Sequence, residues 1–439
     1  MSATTLLKSA FPATETTTMA RLRFLALLAA LALVAAACGG SGDAGDDSTT
    51  TSTLGRPATT SPTTGGTTDN TGGADVPDEV QERIDELIIE AQQIRGLDFL
   101  APVNVILLSD AEYQARFAEI VDEELAEEDV QAINALLRTL GIIEPDDDYR
   151  DLLETFLSAG TGGFYDPDTE ELVVRLAAGE LGPQAESVVI HELVHALQDQ
   201  HFELLDARED LDGDPAYVAQ AIIEGDALLR EATYVQSLSL TEQAKYVREI
   251  SDIDLSALDT LPGYIINSLQ AAYLDGFLFH QQVGLDAVDD QFINPPDSSE
   301  QLIEPGKFQR DEQPKAATLP AFNLPGYELW FDAPAGQKDL ELMLTDGVGA
   351  GRAAEAASGW GGDINRVYNA GDEEAAYVLL YVGDTKKDAE ELEAAFVDFI
   401  AALVPDDVYT FVDRNEDRVL VIIASDPAIG PALQTAFSL

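Results

Sequence analysis

The chain has 439 residues, 46% of them hydrophobic, so one large domain or two ordinary ones can form around a sizeable core. It carries 81 acidic against 24 basic residues, a formal net charge of -57. Such a surface repels nucleic-acid phosphates and anionic lipid, which argues against a nucleic-acid partner, while it favours solubility and attracts cations.

Near the N-terminus, Arg21 and Arg23 follow an internal Met19, and an unbroken apolar run extends from Phe24 to Ala37. The run is too short to span a bilayer and ends in small residues, which is the pattern of a cleaved signal segment over 1–38. The one cysteine, Cys38, stands at the cut, so no intrachain disulfide can form. This arrangement resembles a bacterial lipobox, with Ala35 where that motif prefers Leu. The resemblance implies lipidation at Cys38 and an extracytoplasmic protein anchored to the cell membrane. Residues 39–76 are mostly Gly, Ser, Thr and Asp, too poor in large apolar side chains to fold, and read as a tether.

Order is expected from about Pro77. Val80, Ile84, Leu87, Ile88 and Ala91 share one helical face, and Val103 to Leu108 reads as a strand. Acidic amphipathic helices follow to about Leu157. Asp166-Pro167-Asp168-Thr169 is a turn joining two short strands, the second ending in Leu172-Val173-Val174. Helices dominate from Ala185 to about Val283. A Pro-rich passage over 295–325 reads as a wrap or connection. Beyond Tyr327, strands at 377–381, 409–412 and 419–423 flank a helix over Ala389–Leu403. The expected architecture is α+β, mostly helical over 77–325, with a C-terminal α+β region over 326–439.

The chemistry concentrates in His191-Glu192-Leu193-Val194-His195. On a helix, residues four apart lie one turn apart on one face, so two imidazoles there can share one zinc ion. Glu192 points roughly 100° round the helix, beside the metal, where a general base would take a proton from zinc-bound water. Val189, Ile190, Leu193, Val194 and Leu197 supply the apolar surroundings of a buried helix. For a third ligand the candidate is Glu224, on a helix expected to start with Asp214 as N-cap and Pro215 in its first turn. Its alternative is a Glu paired to an Arg or exposed. His201, six positions after His195, would serve only if the helix broke near Gln200. Asp226 could orient an imidazole from behind. Tyr273, His280 and Tyr165 are candidates for stabilising a transition-state oxyanion, each more readily read as a packed side chain. Asp210 to Asp214 lacks the spacing of a calcium loop, and Trp360 among glycines reads as a packed aromatic.

HELVHALQDQHF followed by IIEGDAL resembles the gluzincin class of zinc metallopeptidases, most closely a group of bacterial proteins carrying HELVHALQDQ and EGDA. GFYDPDTEELVV, YLDGFLF, PPDSSEQLIEPGKF and GWGGD are similar to segments of the same group. Residue by residue, the resemblance implies His191, His195 and Glu224 as zinc ligands and Glu192 as catalytic base, on a zincin-like domain that cleaves peptides or proteins. It further implies an edge strand to hold an extended peptide, for which Leu172-Val173-Val174 is the candidate. Glu304-Pro305 departs from the His-Pro of that group. Two other readings remain at this stage: a non-catalytic surface lipoprotein on the same scaffold, and a zinc hydrolase of a non-peptide bond.

Overall fold

The computed structural model describes residues 77–160, 162–176, 181–204 and 211–439. The expected signal segment, Cys38 and the tether lie outside these residues. Helix α1 (Asp78–Arg95) opens the described chain and buries Val80, Ile84, Leu87 and Ala91, the face its apolar spacing marks. A three-stranded sheet follows, built from β1 (Asn104–Leu108), β2 (Gly163–Asp166) and β3 (Glu171–Arg175). Between β1 and β2 the chain forms α2 (Asp110–Glu124), α3 (Glu127–Thr139) and α4 (Tyr149–Gly160).

The strand order is β1-β3-β2, with β1 parallel and β2 antiparallel to β3. This corrects one expectation. Leu172-Val173-Val174 lies in the central strand, not at an edge. Its three consecutive buried residues are the mark of a strand covered on both faces. Its parallel partner arrives from more than sixty positions upstream, with Val105 opposite Leu172, a pairing that local turn signals do not reveal.

Helix α5 (Pro183–Phe202) lies against β2 and β3 and carries the HELVH segment. Next come α6 (Gly213–Ser237), α7 (Leu240–Ser251) and α8 (Gly263–Val283). The start of α6 differs from expectation. Asp212 occupies the N-cap position, and Asp214 is buried inside the first turn. There its carboxylate accepts the Ser299 N–H at 3.0 Å, and its own N–H donates to the Pro334 carbonyl at 2.8 Å. Burial between two later segments has recruited this acid as a tie.

Three short helices, α9 (Val288–Ile293), α10 (Ser299–Ile303) and α11 (Pro305–Gln309), lead into an extended passage. That passage lies along the second sheet, where the Arg366 guanidinium donates to the Leu319 and Pro320 carbonyls. The second sheet contains β4 (Glu328–Ala333), β5 (Trp360–Asn369), β6 (Ala375–Gly383), β7 (Tyr409–Asn415) and β8 (Arg418–Ala424). It is antiparallel throughout, in the order β4-β5-β6-β8-β7. Helices α12 (Gly336–Val348), α13 (Ala350–Ala357), α14 (Lys386–Leu403) and α15 (Gly430–Ala436) complete an α+β molecule. One apolar core joins Tyr113, Phe156 and Leu157 to Trp360, Leu379 and Phe396, so the helices before β2 and the second sheet share an interior. Among the described residues no helix is long and apolar enough to cross a membrane.

The GWGGD segment is a joint of this interior. Trp360 is buried, as expected of a packed aromatic, and its indole N–H donates to Asp363 at 2.7 Å. The Asp363 carboxylate also accepts the N–H groups of Ala335 and Gly336 at the head of α12. At Gly362 an added Cβ would lie 2.1 Å from the Lys315 carbonyl oxygen, so only glycine admits the passing chain.

Helices α6 and α8 cross at a pair of glycines. A Cβ on Gly225 would meet the Gly276 carbonyl carbon at 2.2 Å, and one on Gly276 would meet the Ala221 carbonyl oxygen at 1.6 Å. Backbones this close require both positions to lack side chains. Gly276→Ala is therefore expected to cost about 3 kcal/mol and lower the thermal midpoint by several degrees. A circular dichroism melt with an unchanged midpoint would show that the helices can part at no cost.

Candidate metal centre

Helix α5 is apolar around most of its circumference, so it runs through the interior. His191 and His195 therefore project into a buried space, 1% and 2% exposed, with ring centroids 4.8 Å apart. Helix α6, which packs against α5, brings in Glu224, which is 0% exposed. Glu224 Oε2 lies 3.3 Å from Nε2 of each histidine. Among the described residues this is the one group of three or more His, Cys, Asp or Glu side chains that can hold a metal ion, its donor atoms all within 4.8 Å of one another.

The surroundings fix which ring nitrogen faces inward. His195 Nδ1 contacts Gln198 Oε1 at 2.9 Å. The Gln198 amide nitrogen donates to the Ile223 carbonyl and to Asp226, so its oxygen is turned toward the histidine as acceptor. His195 Nδ1 must then carry the hydrogen, leaving Nε2 as the lone-pair donor. Glu231 Oε2 lies 3.3 Å from His191 Nδ1 and would keep a hydrogen there when a cation takes Nε2. Its other oxygen accepts the Ser187 hydroxyl at 2.9 Å.

Two imidazole Nε2 atoms and a carboxylate thus converge with little between them. His195 Nε2 and Glu224 Oε1 are buried and have no hydrogen-bond partner. Such a cluster requires a cation or protons to be stable out of water. Burial opposes charge on His191, but Glu224 and Glu231 outweigh it and raise its pKa to about 10. Burial likewise opposes an ionised Glu224, yet the imidazoles hold its carboxyl below the ordinary range. A divalent ion would compete with those protons for the same atoms.

Glu192 is 0% exposed, and no side chain hydrogen-bonds its carboxylate, which the Tyr165 backbone N–H approaches. Burial pushes its carboxyl up to about 7 against the pull of the two imidazoles. Strand β2 passes beside it. A Cβ on Gly163 would lie 3.6 Å from Glu192 Cγ and 2.9 Å from both Val188 and the Val173 carbonyl oxygen. The sheet edge next to this helix is therefore β2.

The remaining expected residues take different places. Tyr273 is buried with its ring stacked on His191 at 6.1 Å. Tyr165 donates its hydroxyl to Asp199 at 2.8 Å. His280 engages Gln291 through Nδ1 and the Ile222 carbonyl through Nε2, both at 2.7 Å, as a packed histidine does. His201 lies on the unbroken helix and contacts the Asp98 carbonyl, away from the centre. Asp226 touches neither imidazole. It accepts from Gln198, Arg95 and Arg230, which together hold its carboxyl low against burial. Asp212 and Asp214 form the start of α6, and Asp210 lies outside the described residues. Glu304 sits where α10 gives way to α11, its carbonyl accepting the Lys307 N–H.

One protein family, described as a domain of unknown function (DUF8575), matches residues 328–432. No curated protein and no solved structure matches the chain. The matched span runs from β4 into α15. The candidate centre, at 191–224, lies outside it.

Sequence reading missed Gln198, Glu231, Ser187 and Arg95. Two had a local signal. Gln198 follows His195 by three positions and Glu231 follows Glu224 by seven, so each shares a helical face with a candidate ligand. Arg95, from the far end of α1, had none. If Glu231 orients His191, Glu231→Leu should weaken zinc binding about 10–100-fold. Competition against a chromophoric chelator measures this, and unchanged affinity would remove Glu231 from that role.

Proposed function

We propose that the chain is a zinc-dependent hydrolase of peptide bonds, similar to gluzincins, with His191, His195 and Glu224 as metal ligands and Glu192 as general base. The observation that carries the reading is the Glu224 carboxylate, delivered by a separate helix to within 3.3 Å of both imidazole Nε2 atoms. Two imidazoles and one carboxylate form a donor set of the kind found in catalytic zinc sites, which keep a further position for water or substrate. Zinc bound there would polarise a scissile carbonyl and acidify a water molecule.

The chain's own residues supply the rest. Gln198 and Glu231 hold the two rings with Nε2 inward. Glu192 offers a buried carboxylate beside the histidines, placed to take a proton from a metal-bound water and return it to the leaving group. An extended peptide would lie along β2, the sheet edge that borders Glu192. The lipobox-like segment ending at Cys38 supports an extracytoplasmic enzyme tethered to the membrane.

The burial of all four side chains favours a second reading, a metal-binding scaffold that engages a partner without turnover. Glu192 distinguishes them, because a metal held only for structure leaves no use for a buried carboxylate with no side-chain partner. Glu192→Gln is expected to keep zinc at one equivalent per chain and to lower hydrolysis of a mixed peptide library at least a thousandfold. Removing zinc by chelation should abolish the same activity, and readdition restore it. A purified protein without near-stoichiometric zinc ends the metal reading. Full zinc with no cleavage of any peptide, with or without chelator, leaves the scaffold or hydrolysis of a non-peptide bond.

A further inference from the structure

Behind the candidate centre lies a second buried acid that touches no ligand. Asp226 is 0% exposed and stands two positions after Glu224. Its Oδ2 accepts the Gln198 amide nitrogen at 3.0 Å and the Arg95 Nε–H at 2.7 Å, and its Oδ1 accepts the Arg230 Nε–H at 2.9 Å. Arg95 comes from the last turn of α1, and Arg230 lies one turn further along α6. A guanidinium group on each oxygen restrains the carboxylate, so Oδ2 stays aimed at Gln198.

The Gln198 amide can be placed in two ways. As it stands, its nitrogen faces Asp226 and the Ile223 carbonyl, and its oxygen faces His195 Nδ1 at 2.9 Å. Turned over, the amide oxygen would confront a carboxylate and a carbonyl, acceptors like itself. The amide nitrogen would then donate to His195 Nδ1 and move the ring hydrogen to Nε2, the atom that faces Glu224. An imidazole that carries its hydrogen on Nε2 cannot ligate through that atom. The Ile223 carbonyl opposes the turn as well. A hydrogen bond to a charged acceptor is roughly twice as strong as one to a neutral group, so the larger share falls to Asp226.

From this geometry we infer that Asp226 is a positioning residue for the metal centre: held by Arg95 and Arg230, it fixes the Gln198 amide and through it keeps His195 Nε2 open to a cation. The inference rests on the metal reading proposed above. It makes α1, which supplies no ligand, part of the construction of the site.

Two measurements on the full chain test it: zinc affinity by competition against a chromophoric chelator, and the visible spectrum of the cobalt-substituted protein. Asp226→Asn should weaken zinc binding about tenfold and shift the cobalt ligand-field bands. Gln198→Met should weaken zinc by a similar factor. Adding Asp226→Asn to Gln198→Met should then change the affinity by less than about twofold, because the two residues act in one path. Asp226→Asn with a lower thermal midpoint but unchanged affinity and bands overturns the proposal, and so do losses that multiply in the double variant. If Asp226→Asn does not fold, Arg95→Met carries the test: about tenfold weaker zinc binding is expected, with Arg95→Lys closer to the parent. A folded Arg95→Met that binds zinc as the parent does overturns the proposal. A parent chain that binds no zinc ends the metal reading and this proposal together, whereas zinc held equally by parent and variants ends the proposal alone.

Discussion

The structure is organised around a carboxylate that has no contact with solvent. Glu224 sits between two imidazoles on a helix buried nearly all round. Taking a charge of this kind out of water costs several kcal/mol unless opposite charge and hydrogen bonds surround it. The neighbouring residues supply this in layers. The imidazoles face Glu224, and Gln198 and Glu231 hold the imidazoles. Asp226 holds Gln198, and Arg95 and Arg230 hold Asp226. The chain of contacts ends at Asp289, which is half exposed and where water can complete the compensation.

This arrangement explains how a chain with net charge -57 uses its few cations. Arg95 and Lys307 are almost fully enclosed, and Lys338 nearly so, and each bridges two acids from different segments. Lys307 joins Glu300 to Asp384, tying α10 and α11 to the end of β6, and Lys338 joins Asp275 of α8 to α12. An exposed ion pair in salt adds little, whereas removing one partner of an enclosed pair strands its carboxylate. In an acidic protein that loss is compounded, because nearby carboxylates already repel one another.

The candidate centre was legible in the sequence to the extent that helical spacing defines it. His191 and His195 are one turn apart by their four-residue spacing, and Glu224 follows from a strong helix with an acid on its apolar face. Glu192 is fixed by adjacency. What sequence could not show was distance between helices. The EGDA and YLDGFLF segments resemble segments of one protein group, and their glycines Gly225 and Gly276 are where two backbones touch. GWGGD resolves in the same way into a hydrogen-bonded turn that heads α12. The hairpin was legible from its turn residues, but the edge was not, since β1 pairs with β3 from far upstream. In the second sheet, β6, β7 and β8 stood out as apolar runs. β4 and β5 did not, being interrupted by acids, glycines and asparagines that serve as ties.

Those ties give the C-terminal region a mechanical relation to the centre. The first turn of α6 is pinned from that side: a Cβ on Gly213 would lie 2.2 Å from the Pro334 carbonyl oxygen, and Asp214 N–H donates to the same oxygen. Gly336, at the head of α12, approaches Asp214 so closely that a Cβ there would lie 1.9 Å from its carboxylate. The helix so pinned carries Tyr217, Gln220 and, one turn beyond, Glu224. A helix transmits axial displacement along its hydrogen-bonded length, and 3.3 Å contacts to two rings tolerate little of it. Pro334 and Gly336, in the turn between the second sheet and α12, therefore help set the position of Glu224 through the start of α6.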